Sequence, residues 1–178
     1  MTGSDAPALV GALVTLRPLT LDDVPVLLDQ GPLARASVAD RADETERLRA
    51  RVARPTTLDD DGFLSLAIEH EQTMVGDIQA RAPRNGFPPG VCEIGLTLRP
   101  EARGRGLGTD AVGLLTQHLH ARGWPRVQAS TAVGNQAMRQ VLELNGYALE
   151  GTLCSFAPDE VGGRADYVLY ASVLASTG

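Results

Sequence analysis

Three glycines stand at every second position, Gly104, Gly106 and Gly108, with Arg103 before the first and Arg105 between the first two. Residues of these types in this pattern can bind phosphate. Glycine lets the backbone bend freely and approach a ligand closely, successive N–H groups form a concave nest for an anion, and guanidinium groups add charge and forked hydrogen bonds. The flanks suit the same chemistry. In Cys92–Leu98 the residues Ile94, Leu96 and Leu98 alternate at the period of a strand, and Pro100 ends its ladder. From Thr109 onward Ala111, Val112, Leu115 and Leu119 recur at helical spacing. The spacing therefore predicts a strand, a glycine-rich turn and a helix whose first turn adds unpaired N–H groups and a positive dipole end.

Two common phosphate loops are weakened by position. A Walker loop ends in Gly-Lys-Ser/Thr, whereas Gly108 is followed by Thr109 and Asp110. A dinucleotide fingerprint counted from Gly104 and Gly106 needs a glycine where Thr109 stands. The spacing that fits is Arg-x-x-Gly-x-Gly, formed by Arg103, Gly106 and Gly108.

With that loop the sequence resembles the GCN5-related N-acetyltransferase (GNAT) family. Further segments carry the likeness: Gly11–Leu19 followed by Asp22-Asp23, Asn135 through Gly146-Tyr147, and Gly163–Tyr170. The last is similar to the branch that acetylates ribosomal-protein N-termini. The resemblance covers roughly the whole chain and is weakest between residues 30 and 90. It implies an α/β fold with a central, mixed but mostly antiparallel sheet flanked by helices. It also implies acetyl-CoA as donor, coenzyme A as product, and a primary amine of a protein N-terminus or a small molecule as acceptor, reached by direct attack. Pantetheine would run along Leu96, Thr97 and Leu98. The diphosphate would sit on Arg103, Gly104, Arg105, Gly106, Leu107, Gly108 and Thr109, with Asn135 meeting the cofactor and Arg139 reaching the nucleotide phosphates. Without the resemblance, the loop reads as a glycine-rich turn with surface arginines, Asn135 as a helix cap and Arg139 as a solvated side chain.

Transfer from a thioester to an amine needs a neutral amine, a polarised carbonyl and a protonated leaving thiolate, and holding the reactants together supplies much of the rate. Glu93 is the candidate base: it lies on the central strand, on the side opposite Ile94, and relatives often carry a glutamate here or nearby. A structural carboxylate bonded to neighbouring backbone is the competing reading. The resemblance also marks a departure. Leu142 stands where many members carry a tyrosine, and Met138 where the ribosomal-protein branch often carries a serine. Water, Tyr147, Tyr167 or Tyr170 is left to protonate the thiolate. A catalytically weak or inactive acyl-CoA-binding sensor is therefore the alternative function.

The elements that must position these groups are legible along the chain. Residues 1–10 read as a flexible tail before a single N-acetyltransferase domain at 11–178. Leu13–Leu16 reads as a first strand. Thr20–Asp23 has capping-box spacing, with Asp for Glu, ahead of a helix from Leu21 that Gly31-Pro32 stops. Residues 43–54 suit a second helix. A hairpin follows, with Leu64, Leu66 and Ile68 alternating, a turn at 70–73 and Met74–Ala80 returning. Pro83–Gly90 is a loop into the central strand. After it come a helix to Arg122, a strand at Val127–Thr131, a helix from Asn135 to Asn145-Gly146, and two strands at Tyr147–Phe156 and Arg164–Leu174.

Composition bounds the rest. The chain has 178 residues, 43% of them apolar and only 4% aromatic, with a formal charge of -6. Length fits one domain with a core, while scarce aromatics and acidity argue against nucleic acid and favour cationic amines. All 16 basic residues are arginine, so the protein cannot acetylate itself on lysine. Cys92 and Cys154 suggest neither zinc nor disulfide framework. His70, His118 and His120 make no recognisable metal set and read as structural or surface residues. No apolar run or basic start suggests a membrane span or signal peptide, so a cytoplasmic location is expected. Relatives are often dimers, which implies a homodimer whose interface no stretch of sequence locates.

Overall fold

Eight strands among the described residues join one sheet. A computed structural model of the chain describes residues 8–29, 38–53, 58, 62–83, 86–159 and 162–174. The strands are β1 (Leu9–Val10), β2 (Thr15–Pro18), β3 (Phe63–His70), β4 (Thr73–Arg81), β5 (Val91–Leu98), β6 (Arg126–Ala132), β7 (Ala148–Pro158) and β8 (Arg164–Val173). Their order is β1-β2-β3-β4-β5-β6-β8-β7. Every neighbouring pair is antiparallel except β5 with β6, as expected of a mixed, mostly antiparallel sheet. A parallel pair needs a long crossover, and the glycine loop with its helix supplies it.

Among the described residues four helices flank the sheet: α1 (Val24–Leu28), α2 (Val38–Val52), α3 (Leu107–Ala121) and α4 (Gln136–Leu144). Apolar positions decide which face each covers. Leu107, Ala111, Val112, Leu115 and Leu119 of α3, with Leu142 of α4, pack on Leu16, Ile68, Ile78, Cys92, Ile94, Val127 and Ala129 of the strands. On the other side, Val24, Leu27 and Leu28 of α1 and Leu48 of α2 form a second cluster with Ala67 and Met74. These two clusters fix the sheet between helical layers, and burial of such apolar surface is the main stabilising term.

Several boundaries differ from the sequence reading, for local reasons. Leu9 and Val10 are no tail: they pair with Leu16 and Thr15, while residues 1–7 lie outside the described residues. The first helix begins as a 3-10 turn over Leu21–Asp23 before α1, and its expected stop at Gly31-Pro32 lies outside the described residues. Helix α2 starts at Val38, earlier than residue 43. Helix α3 starts at Leu107, two residues before the periodicity shows, because Gly106 adopts the left-handed conformation (φ 80) that ends the loop.

An ion-pair triad locks β2, the α1 entry and β3 together. Arg17 donates from Nη1 and Nη2 to Asp23 at 2.8 and 2.9 Å and from Nε to Glu69 at 2.7 Å. Asp23 also accepts from the Thr20 amide at 2.7 Å, the arrangement the capping-box spacing foretold. Burial opposes ionisation of Asp23, but the Arg17 fork and the Thr20 amide outweigh it and hold the carboxyl below its ordinary 3.8. A depressed folded pKa gives stability that is complete above the unfolded value and is lost as pH falls through the lower folded one. Asp23→Asn should therefore cost about 2 kcal/mol at pH 7, by loss of charged hydrogen bonds. Urea unfolding should show the gap from wild type narrowing below about pH 4; a gap that stays constant into acid would refute this role for Asp23.

Candidate active site

The site begins where β5 and β6 stop pairing. They are joined only at Val91–Arg126, Cys92–Val127 and Glu93–Gln128. On its other side β5 stays paired with β4 from Glu93 to Leu98. Beyond Glu93 the two strands part, and Ile94–Leu98 turns one edge of its main chain to a cleft of about 700 Å³. The walls are Ile94–Leu98, the glycine loop, Ser130 and Thr131 of β6, and Asn135, Met138, Val141 and Leu144 around α4.

One end of the cleft carries the loop. Gly104 and Gly106 both have positive φ (71 and 80), which a side chain rarely adopts. Gly106 caps α3 without a side-chain hydrogen bond, so the first-turn N–H groups keep no cap. Helix α4 makes the contrast clear: its cap Asn135 accepts from the Met138 amide at 3.2 Å. Gly108 lets α3 approach the strand, since a Cβ there would lie 3.2 Å from Leu96 Cδ2 and 3.4 Å from Leu98 Cδ1. Positive dipole, uncapped donors and a glycine nest together make an anion seat.

The seat is braced from three directions. Asp110, in the first turn of α3, accepts from the Leu13 and Val14 amides at 2.7 and 2.9 Å, tying the β1–β2 turn to the helix. Asn145 Nδ2 donates to the Thr109 and Val141 carbonyls at 3.1 and 2.8 Å, joining the start of α3 to the end of α4. His70 Nδ1 meets the Leu13 carbonyl at 2.7 Å, and its Nε2 lies 3.1 Å from Arg105 Nη2. The carbonyl can only accept, so Nδ1 carries the proton and Nε2 accepts from arginine.

Most of the predicted cofactor residues converge. Leu96, Thr97, Leu98, Arg103, Gly104, Gly106, Leu107, Gly108, Thr109 and Asn135 line the cleft. Arg103 is exposed there and donates from Nε to the Leu98 carbonyl at 3.1 Å. Two arginines do not converge. Arg105 is turned to His70, and Arg139 donates to Tyr170 Oη and the Val133 carbonyl, each at 3.3 Å; neither lines the cleft. Glu93 is half-buried just below the fork and accepts from Ser130 Oγ at 2.7 Å, without itself lining the cleft.

The three tyrosines weighed as acids all lie elsewhere. Tyr147 Oη and Thr116 Oγ1 share a hydrogen bond of 2.6 Å in the core, where burial pushes the phenol up. Tyr167 packs its ring on Phe156 at 5.3 Å. Tyr170 donates to Glu143 at 2.7 Å. The hydroxyls that do line the cleft on β6, Ser130 and Thr131, were missed by the sequence reading. Their only signal was alternation: Ser130 falls out of phase with the buried Val127 and Ala129, but nothing in that pattern says where β6 leaves β5. Among the described residues no group of three His, Cys, Asp or Glu side chains could hold a metal ion.

Residues 14–148 match the family model of the acetyltransferase (GNAT) domain. The chain belongs to that family. It is an acetyl-CoA-dependent acetyltransferase, with the GNAT sheet and helices in the expected order. Solved structures of similar fold include RimL, a ribosomal L7/L12 alpha-N-protein acetyltransferase in complex with coenzyme A. It is 19% identical with a TM-score of 0.76, covering 94% of this chain and 98% of that one. Mycobacterium smegmatis RimJ in complex with CoA-disulfide is 20% identical with a TM-score of 0.75, covering 97% and 90%. The microcin C7 self-immunity acetyltransferase MccE, in complex with acetyl-CoA and AMP, is 18% identical with a TM-score of 0.69, covering 92% and 93%. No curated protein matches the sequence. Among the described residues of this GNAT chain no helix is long and apolar enough to cross a membrane.

Asp110→Asn keeps the side-chain shape but removes the charge that receives the Leu13 and Val14 amides. Charged hydrogen bonds of this kind contribute about 1.5–3 kcal/mol, so exchange of those two amides with deuterium should speed up by about tenfold or more. Unchanged exchange would mean that the β1–β2 turn is held by something other than Asp110.

Proposed function

We propose that the cleft seats the diphosphate of acetyl-CoA on Arg103–Thr109, lays the pantetheine arm along Ile94–Leu98, and delivers the acetyl group to a primary amine, first of all a peptide N-terminus. The observation that carries this reading is the fork itself. A strand edge that β6 has left unpaired runs directly from an uncapped helix N-terminus toward a carboxylate. Amide groups of a pantetheine arm can take the place of the missing strand, as an added strand does at an open sheet edge. Thr97 and Asn135, both on the walls, supply polar groups along the same path.

The fork also suggests how transfer occurs. A donor threaded between β5 and β6 brings its thioester to the vertex, beside Glu93, and the acceptor enters from the other side of the sheet. Direct attack then needs no covalent enzyme intermediate. Approximation of the two reactants does much of the work, and Glu93 receives the proton that the amine loses. The formal charge of -6 draws cationic amines toward such a site. RimL and RimJ, whose fold is shared, are the basis for testing peptide N-termini before small amines. We place the reaction in the cytoplasm, where acetyl-CoA and new N-termini meet and where free thiols such as Cys92 and Cys154 persist.

The test is calorimetric titration with acetyl-CoA, followed by thiol release in the presence of peptides beginning with Ser, Ala or Met. Micromolar binding, with thiol released only when the peptide α-amine is free, is the expected result. Binding without release on any amine would leave only an acyl-CoA-binding module. Gly106→Val forces a branched side chain into a left-handed position against Leu13. It should weaken acetyl-CoA binding by more than about tenfold while the protein still melts cooperatively. Unaltered affinity would show that the diphosphate sits elsewhere.

A further inference from the structure

We propose that Ser130 is a two-way proton relay between the cleft and Glu93, serving as the acceptor's base in the first half of the reaction and the thiolate's acid in the second. The proposal rests on the reading above, that the cleft holds acetyl-CoA and that Glu93 takes the amine's proton. That reading leaves a gap, because Glu93 does not line the cleft. Ser130 lines it, and its Oγ–H donates to Glu93 Oε1 at 2.7 Å.

The placement follows from the fork. Glu93 belongs to the last β5–β6 pair, opposite Gln128. Ser130 is two residues further along β6, the first residue beyond the last pair on the same side of the strand as Gln128. A hydroxyl there can face the cleft while its proton points back to the carboxylate. The neighbouring Thr131 cannot do the same, since its Oγ1 receives Asn135 Nδ2 at 3.0 Å and it belongs to the buried side of β6. The Tyr147 and Tyr170 hydroxyls are bonded elsewhere, and Tyr167 does not line the cleft. The two positions where relatives carry an acid hold Leu142 and Met138.

A hydroxyl has one donor and two acceptor sites and rotates to suit, so the steps balance without any outside proton. As the amine nitrogen forms its bond to the thioester carbon, one N–H proton passes to Ser130 Oγ while the Ser130 proton passes to Glu93 Oε1. When the tetrahedral intermediate collapses, the C–S bond breaks and its electron pair leaves on sulfur. Sulfur takes the proton from Ser130 Oγ, and Glu93 returns its proton to Ser130. The net movement is one proton from nitrogen to sulfur, with Ser130 and Glu93 restored.

A merely structural role, tethering the two strands below the fork, makes different predictions. Five proteins decide between them: wild type, Ser130→Ala, Ser130→Thr, Glu93→Gln and the double variant Ser130→Ala/Glu93→Gln. Each is assayed for thiol release with acetyl-CoA and the best N-terminal peptide, and for acetyl-CoA affinity by calorimetry. The relay requires kcat of Ser130→Ala to fall by about 10²–10³, within the range of general acid–base catalysis, while acetyl-CoA affinity and melting temperature hold. Ser130→Thr, which keeps the hydroxyl, should recover most of the rate. The double variant should be no slower than the slower single one, because the two residues act as a unit. Wild-type turnover with Ser130→Ala equally fast, or losses that multiply in the double variant, would overturn the relay and leave the function standing. Wild type that binds acetyl-CoA and releases no thiol with any peptide would overturn both.

Discussion

A parallel strand pair that ends after three residues is the constraint from which the remainder of this molecule follows. Beyond Glu93, β5 keeps its hydrogen bonds to β4 and loses those to β6. Buried main-chain groups without partners are costly, so the open edge has to face solvent or a ligand with amide groups of its own. Everything nearby keeps the fork open. The crossover loop and α3 rise from the end of β5, while Asn135 and α4 rise from the end of β6. The side chains between them, Leu96, Leu98, Met138 and Val141, are only partly buried, as walls of a cleft must be.

Two parting strands would be a liability if the helices above them could drift. The hydrogen bonds that prevent this are few and long in sequence. Asn145 holds the first turn of α3 against α4, and Gly113 gives it room, since a Cβ there would lie 2.7 Å from Asn145 Oδ1. Asp110 holds the same turn to the β1–β2 segment, and Gly11 is its counterpart on the other side of that contact. The acidic side chain that a helix dipole favours at its N-terminus is thus directed to protein amides, and the loop N–H groups are left to the cleft.

The sequence announced the loop and the order of elements because both are written in short-range chemistry. Glycines at 104 and 106 dictate a turn, Asn135 a cap and Asn145-Gly146 a stop, and these formed as read, whereas Gly108 fell inside the first turn of α3. What it could not announce depends on where segments separated by tens of residues meet. Alternation puts Ser130 on one side of a strand but does not say that β6 has left β5 two residues earlier. Arg105 and Arg139 look equivalent to Arg103 as cations near a phosphate motif, yet His70 and Tyr170 claim them from distant strands. The three tyrosines were candidate acids because Leu142 and Met138 replace the acids the resemblance implies, and tertiary hydrogen bonds to Thr116 and Glu143 place two of them away from the cleft. The N-terminal residues Leu9 and Val10 became a strand through partners that lie only five and seven positions on, in a hairpin too short for periodicity to reveal.

The strand order has a bearing on synthesis. β6 forms one wall of the cleft, and its second neighbour is β8, the last of the described strands, lodged between β6 and β7. Seven rungs from Arg126–Val173 to Ala132–Tyr167 hold β6 in place on that side. A growing chain can therefore have its glycine loop, its central strand and both upper helices outside the ribosome and still lack a rigid wall opposite Ile94–Leu98. The wall opposite Ile94–Leu98 is thus braced by a strand made later than the loop, the central strand and both upper helices.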